Sequence, residues 1–329
     1  MQLAAAMPAA ATPAPSHGAT DEGLLPSDLR LRCPRCRAGM AGGTCPSCGM
    51  TVDVRCGIVR ALAPETRARL AGFIDEYERI REAEGRGSDD AGYYLGLPYS
   101  DASGRDPRQW RVRARSHDYL LRHLLPDLDR GHGARVLDLG AGNCWMSYRL
   151  ALAGHGPCAV DLLTNDADGM GAARHFRARL PALFPRFQAS FEQLPFADAQ
   201  FDAAVFNASF HYAGEGTAVL REALRCLAPG GVAIVSDTPW YPRAEDGHRM
   251  LAERQADFLR RHGTPGTALP MLGFLTDARL RAMERALSIR WEIHAPWYGV
   301  AWALRPALAM LGGRRRPSRF RLYVARKPG

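Results

Sequence analysis

Val136-Leu137-Asp138-Leu139-Gly140-Ala141-Gly142-Asn143-Cys144 is the stretch that decides the fold. A short apolar run ends in Asp and Gly, and residues 144–154 continue as a helix. Gly140 and Gly142 let a ligand lie against backbone where a side chain would collide. The helix start beyond them offers unpaired N–H groups and the positive end of a helix dipole. The next apolar run, residues 157–163, carries Asp161, about 20 residues on, where a carboxylate accepts hydrogen bonds from ribose hydroxyls. A loop and an acid in this relation predict a ligand that contains a nucleoside.

Outward from the loop, strands and helices alternate. After the strand at 157–163 come a helix over 168–180, a third strand at 187–192, a fourth at 201–209, a helix from Gly216 to Leu227 and a fifth strand at 230–238. Such alternation means βαβ units and a parallel sheet with helices on both faces. Two further strands, 288–296 and 319–327, flank a helix-like apolar segment at 297–311. Ahead of the loop, Leu70, Phe73, Ile74, Tyr77 and Ile80 fall at helical spacing after Pro64, and an Arg-studded helix runs from about Pro107 to Leu125.

The glycine loop and its acid do not by themselves separate a dinucleotide from S-adenosylmethionine. The motifs VLDLGAGN (136–143), AVDL (159–162), FEQLPFADAQFDAAVFN (191–207) and LRCLAPGG (224–231), in that order, resemble class I S-adenosylmethionine-dependent methyltransferases of the type 11 kind. The resemblance covers roughly residues 110 to 240, with closing strands to 327. It implies a Rossmann-like, doubly wound, mostly parallel sheet and S-adenosyl-L-methionine as cofactor. By position it implies that Asp138 organises the loop near the methionine amino group, that Gly140, Gly142 and Asn143 admit the cofactor, and that Asp161 with Leu162 holds the ribose. The family often has an acidic residue after the third strand for the adenine amino group. Here Ser190 stands there, followed by Phe191 and Glu192 as candidate adenine contacts. Cys144 occupies the place where a third glycine is common, a second departure.

A second motif precedes this domain. Cys33-x2-Cys36-x8-Cys45-x2-Cys48 offers four thiolates to one tetrahedral ion, two from each tight turn. Four protein ligands leave no open position, so the expected Zn2+ is structural, and in so short a unit it supplies folding free energy. Cys56 is read as a non-ligand. The run resembles the short zinc ribbon of the tRNA-methyltransferase activator family, where a C-x2-C pair precedes a hairpin ending in Gly-Ile, here Gly57-Ile58. The expected organisation is a disordered tail over 1–27, a zinc ribbon over 28–64, a helical linker or lid over 65–115 and the methyltransferase domain over 116–329.

Composition narrows the rest. The 329 residues, 47% hydrophobic and 23% charged, exclude a wholly disordered or collagen-like chain, and no apolar run is long enough to span a membrane. The net charge of +9 comes almost wholly from arginine, Lys327 being the sole lysine. That bias matches GC-rich coding as well as phosphate binding. The first residues lack a basic region and carry prolines, which makes a poor signal peptide, and thiolates kept for metal suit a reducing compartment, so the expected location is cytoplasmic.

The acceptor side is read from the end of the fourth strand, Asn207-Ala208-Ser209-Phe210-His211-Tyr212, at the carboxyl edge where such sheets bind ligands. His211 is the first candidate base, with Tyr212 and Asn207 as positioning groups, Asn207 being also a candidate cofactor contact, and Asp237 is a second candidate base. Tyr93, Tyr94, Tyr99, Trp110 and Arg111 are read as a lid or as a seam between ribbon and domain. The leading expectation is methyl transfer to a small molecule of lipid, glycan or secondary-metabolite type. RNA methylation, suggested by ribbon plus charge, and a non-catalytic adaptor remain open. The 297–316 segment, apolar with Arg314–Arg316 at its end, is a candidate peripheral membrane contact or simply core.

Overall fold

The computed structural model describes residues 25–129, 131–263 and 270–328. Most of the expected tail, up to residue 24, lies outside the described residues. A single nine-stranded sheet organises the chain, in the order β1-β2-β5-β4-β3-β6-β7-β9-β8. Its strands are β1 (Asp53–Arg55), β2 (Ile58–Arg60), β3 (Arg135–Leu139), β4 (Gly156–Asp161), β5 (Arg186–Gln188), β6 (Phe201–Asn207), β7 (Leu227–Ser236), β8 (Trp291–His294) and β9 (Leu322–Arg326). From β2 through β5, β4, β3 and β6 to β7 every pairing is parallel, and β9 and β8 close the far side antiparallel. The sheet is Rossmann-like and mostly parallel, as the alternation predicts.

The third strand is shorter than expected: β5 ends at Gln188, and residues 189–192 are loop. The helix expected over 168–180 is a 3₁₀ stretch, Met170–Phe176. Two helices fall where the sequence gave no reading, between the fifth strand and the closing pair.

The helices are α1 (Pro64–Ala83), α2 (Ala91–Gly96), α3 (Pro107–Tyr119), α4 (Trp145–Leu152), α5 (Gly216–Cys226), α6 (Ala244–His262), α7 (Asp277–Leu287), α8 (Val300–Ala303) and α9 (Arg305–Leu311). Their starts follow local chemistry. The Glu215 carboxylate accepts from Thr217 N and Ala218 N at the head of α5, and Thr276 Oγ1 accepts from Arg279 N at the head of α7.

Because the central strands are covered on both faces, they read as near-continuous apolar runs. Alternation still assigns the faces. Leu137 and Leu139 join a core with Val160, Phe187, Phe206 and the inner side of α5. Val136 joins the opposite core, with Trp145, Tyr148 and Phe176. Each such side chain contributes about 1.5–3 kcal/mol through burial.

The N-terminal unit is continuous with this architecture. Its strand β2 extends the sheet beyond β5, pairing Val59 with Phe187 and Arg60 with Gln188. Leu29, Leu31, Met50 and Val52 belong to the same buried cluster as Phe187 and Phe196. Arg37 adds an ion pair, 2.5 Å from the Glu222 carboxylate on α5, and that carboxylate also binds Arg225 and Leu194 N.

Candidate functional site

Strand order reverses at β3, which lies between β4 and β6, and in such sheets the crevice beyond the carboxyl ends at that point binds ligands. A cavity of about 730 Å³ opens there, within the size range of small-molecule sites. Gly140, Gly142 and Asn143 line it after β3, Asp161 and Leu162 after β4, and Ser190, Phe191 and Glu192 after β5. Asn207, His211 and Tyr212 follow β6, and Asp237 follows β7. All the sequence-derived cofactor and acceptor residues except Asp138 are therefore brought to one cavity wall.

The loop is held in shape by its acid. Gly140 has φ +82°, and a Cβ on it would lie 2.3 Å from Ser209 Cβ, so no side chain fits. The Asp161 carboxylate accepts from Gly142 N and from Leu163 N, each at 2.8 Å, which ties the loop to the end of β4. Burial pushes the Asp161 carboxyl up, against these two bonds. Asp138 sits beneath the loop and does not line the cavity. It is 1% exposed, and one of its oxygens accepts from Ser147 Oγ on α4 at 2.7 Å. Burial pushes its carboxyl up to about 7, with nearby Asp161 adding to the rise.

Cys144 occupies left-handed backbone with φ 64°, a conformation that favours glycine. Its side chain is fully buried and lies outside the cavity lining, so the thiol does not obstruct a ligand.

On the acceptor side, His211 sits on a 3₁₀ turn, Phe210–Tyr212, with its Nδ1 buried and unpartnered. Burial, followed by the charges of Arg254 and Arg113, pushes this imidazole down to about 3, so it is neutral near pH 7. Asp237 is 4% exposed and takes a positive φ of 52°. Its Oδ1 accepts from Ser116 Oγ at 2.5 Å, Ser116 Oγ meets Tyr298 Oη at 2.9 Å, and Oδ2 is buried without a partner. Burial raises this carboxyl, while Ser116 and Arg113 pull the other way.

The roof comes from the segment expected as a helical linker or lid over 65–115, within which the sequence singles out no residue of α1 as a cavity contact. Leu70, Phe73, Tyr77 and Arg81 of α1 line the cavity. Arg81 pairs with Asp168 at 2.7 Å, Glu78 accepts from Asn165 Nδ2 at 2.8 Å, and the Tyr77 and Tyr212 hydroxyls are 3.5 Å apart. The stripe Leu70-Phe73-Tyr77 was the available signal, since an apolar helical face requires a partner. Asp168, Arg113 and Phe320, also in the lining, gave none. Of the aromatics ahead of the sheet, Tyr93 and Tyr94 are core, Trp110 reaches the cavity and Tyr99 is 53% exposed.

Residues 137–235 match the family model described as a methyltransferase domain. This stretch is a class I methyltransferase domain. The chain is 31% identical over 135 residues to the malonyl-[acyl-carrier protein] O-methyltransferase of Erwinia pyrifoliae, covering 41% of this chain and 49% of that protein. It is 36% identical over 124 residues to the demethylmenaquinone methyltransferase of Beutenbergia cavernae, covering 37% and 49%. The chain thus spans about half the length of these curated relatives. Among solved structures, a Haloferax volcanii complex of the Trm112 methyltransferase activator with a methyltransferase aligns at 18% identity and TM-score 0.49, over 78% of this chain and 97% of that one. Among the described residues, no helix of the methyltransferase domain or its flanks is long and apolar enough to cross a membrane.

Outside the methyltransferase domain, the sulfurs of Cys33, Cys36, Cys45 and Cys48 all lie within 4.8 Å of one another. Cys33 and Cys48 are 3.6 Å apart, and Cys36 and Cys45 3.4 Å. A tetrahedral zinc with Zn–S of about 2.3 Å needs edges of about 3.8 Å, so the donor set fits that ion after small adjustment. Cys56, exposed and outside the cluster, is not one of the four.

Proposed function

We propose that the chain transfers a methyl group from S-adenosyl-L-methionine to a small-molecule acceptor, with a structural Zn2+ on the four N-terminal cysteines. The observation that carries this reading is the single cavity in which the glycine loop, Asp161 and the buried acceptor-side groups face one another. Its walls divide by chemistry. Gly140–Asn143, Asp161, Leu162 and the Ser190–Glu192 segment suit a nucleoside and an amino-acid tail. The far end, with Asn207, His211, Tyr212, Asp237 and Phe320, suits an acceptor.

When bound, the cofactor supplies an electrophilic methyl on sulfonium. The protein's share is to align an acceptor atom with that methyl and to exclude water, which the roof helix α1 does here. For a hydroxyl or protonated amine acceptor, a proton must also leave. Asp237 is the better base. Burial raises its carboxyl, and its buried Oδ2 has no hydrogen-bond partner, whereas His211 is held too acidic to take a proton near neutrality. His211 then acts as a neutral hydrogen-bonding group beside Asn207 and Tyr212. An adaptor with no catalytic role would not need an intact cavity of this kind, and the small-molecule reading is favoured over RNA by the depth of the buried acceptor groups.

The test is calorimetric titration with S-adenosylmethionine and, separately, S-adenosylhomocysteine. Micromolar binding is expected, and Asp161→Ala should weaken it about tenfold or more, because the loop loses its tie and the ribose its acceptor. No binding to folded, zinc-loaded protein would move the reading to the adaptor. Once an acceptor is in hand, Asp237→Asn should lower kcat by about 10²–10⁴-fold with cofactor affinity unchanged. A larger loss in His211→Asn than in Asp237→Asn would return the base role to His211.

A further inference from the structure

We infer that the knuckle formed by α8 and α9 docks the protein on an anionic lipid bilayer, and that the acceptor is an amphiphile drawn from that surface. Neither helix buries a residue. Six large apolar side chains lie bare on it: Trp297 is 63% exposed, Val300 65%, Leu304 51%, Leu308 57%, Met310 73% and Leu311 82%. A soluble surface rarely gathers so much apolar area in one place without a use for it.

The knuckle is held firmly. Trp302 packs between Tyr298 and Phe320, with ring centroids 5.4 and 5.3 Å away, and the Arg305 guanidinium lies 3.5 Å over the Trp302 ring while donating to Ser318 O. The apolar tip is thus presented on a fixed base.

Charge selects the occupant. From Ala295 to Pro328 the chain carries eight cations and no carboxylate. Arg315 pairs with Glu253, but Arg314, Arg316 and Arg319 are exposed and carry no ion pair among the described residues. An apolar tip beside unpaired arginines matches a bilayer whose acyl boundary takes the tip while anionic headgroups take the guanidinium groups. A second copy fits less well, since two-fold packing of this face on itself would bring the arginines together with no acid in the segment to offset them.

The acceptor half of the inference rests on the methyl-transfer reading. Phe320, which backs Trp302, also lines the cavity, as does Met271, 45% exposed. Phe320 therefore joins the base of the knuckle to the cavity. A lipid-like molecule can keep its chain on the bilayer side while its polar head reaches His211 and Asp237.

The test is co-flotation of the zinc-loaded full chain with vesicles of phosphatidylcholine alone and of phosphatidylcholine with phosphatidylglycerol. Binding to the anionic vesicles is expected to be at least about tenfold tighter, and to weaken as salt rises. Leu308→Glu with Leu311→Glu should abolish it, and Arg314→Ser with Arg316→Ser should remove the preference for anionic lipid. Both variants should keep the wild-type melting temperature and S-adenosylhomocysteine affinity. Wild-type protein that ignores anionic vesicles, or a Leu308→Glu/Leu311→Glu variant that binds them undiminished, overturns the docking surface. So does a wild-type dimer by sedimentation that this variant dissolves, which would give the face to a second copy. Loss of S-adenosylhomocysteine binding in the wild type would instead strike the methyl-transfer reading and leave the vesicle result standing.

Discussion

Asp138 and Asp161 stand near the ends of the neighbouring strands β3 and β4, yet only Asp161 lines the cavity. The difference is strand parity. Along β3, side chains at 137 and 139 share one face and those at 136 and 138 the other, so Asp138 turns toward α4 and the hydroxyl of Ser147, while Asp161 sits at the strand's end, where the backbone opens. The sequence carried Gly140, Gly142 and Asp161 clearly, because each is a residue type forced by backbone shape or by hydrogen bonding. Cys144 looked like a departure, and its φ of 64° explains why glycine suits the position. That the thiol turns away from the cavity could not be read from residue types. Asp138 makes a prediction about pH. Its folded-state pKa of about 7 lies above the ordinary value of 3.8. The folded chain therefore holds a proton through a range in which the unfolded chain has released it. Stability from this group is full below about pH 4 and falls as pH rises through about 7, by up to about 4 kcal/mol. Asp138→Asn, which is neutral throughout and can still pair with Ser147, should match the wild type in melting temperature near pH 4 and exceed it at pH 8. Parallel melting curves across that range would show that the carboxylate is tolerated ionised.

Among the elements, α1 is expected from the sequence as a helix within a linker or lid, without a partner for its apolar face. Its apolar stripe announced a helix but not where the helix would lie, since periodicity gives a face and not a partner. The partner is the cavity, and polar contacts set the position. Arg69 reaches Glu192 beyond β5, Glu78 and Arg81 reach Asn165 and Asp168 beyond β4, and Tyr77 reaches Tyr212 beyond β6. The helix is tied to three strand ends, all of which line the ligand space. Arg81→Ala removes the shortest of these ties and the guanidinium that lies 5.1 Å from the Tyr77 ring. The expected result is faster release of S-adenosylhomocysteine, by about three- to tenfold, and faster amide exchange across 64–83 in the ligand-bound state. Unchanged exchange and release in that variant would mean that α1 is a fixed wall and not a lid. By the same physics α6 and α7 gave no sequence reading, because their burial depends on neighbours that no local pattern specifies.

At the scale of the whole molecule, the N-terminal four-cysteine unit, the proposed zinc ribbon, shares the sheet and its core. The cysteine spacing announces a small metal-held unit, and the spacing alone suggests one that stands apart. The pairing of β2 with β5 and the packing of Leu31, Met50 and Val52 against Phe187 and Phe196 arise from contacts distant in sequence, which spacing does not encode. The consequence reaches the site. Immediately beyond β5 come Ser190, Phe191 and Glu192, and immediately beyond β2 comes α1, whose first turn is tied back to the ribbon by Arg35 and Glu65 at 2.8 Å. Two walls of the cavity therefore hang on the ribbon. Loss of zinc, by Cys36→Ser or by a strong chelator, should release the ribbon's folding free energy, lower the melting temperature of the entire chain in one transition and weaken S-adenosylhomocysteine binding, although no cysteine of the cluster lines the cavity. The comparison that checks this is calorimetry on wild-type and Cys36→Ser protein, with zinc content measured by elemental analysis. A variant with full zinc would remove Cys36 from the ligand set. A zinc-free variant that melts in two separate steps and binds the cofactor product as tightly as the wild type would show that the ribbon is an independent attachment, and that the shared sheet does not carry its stability to the site.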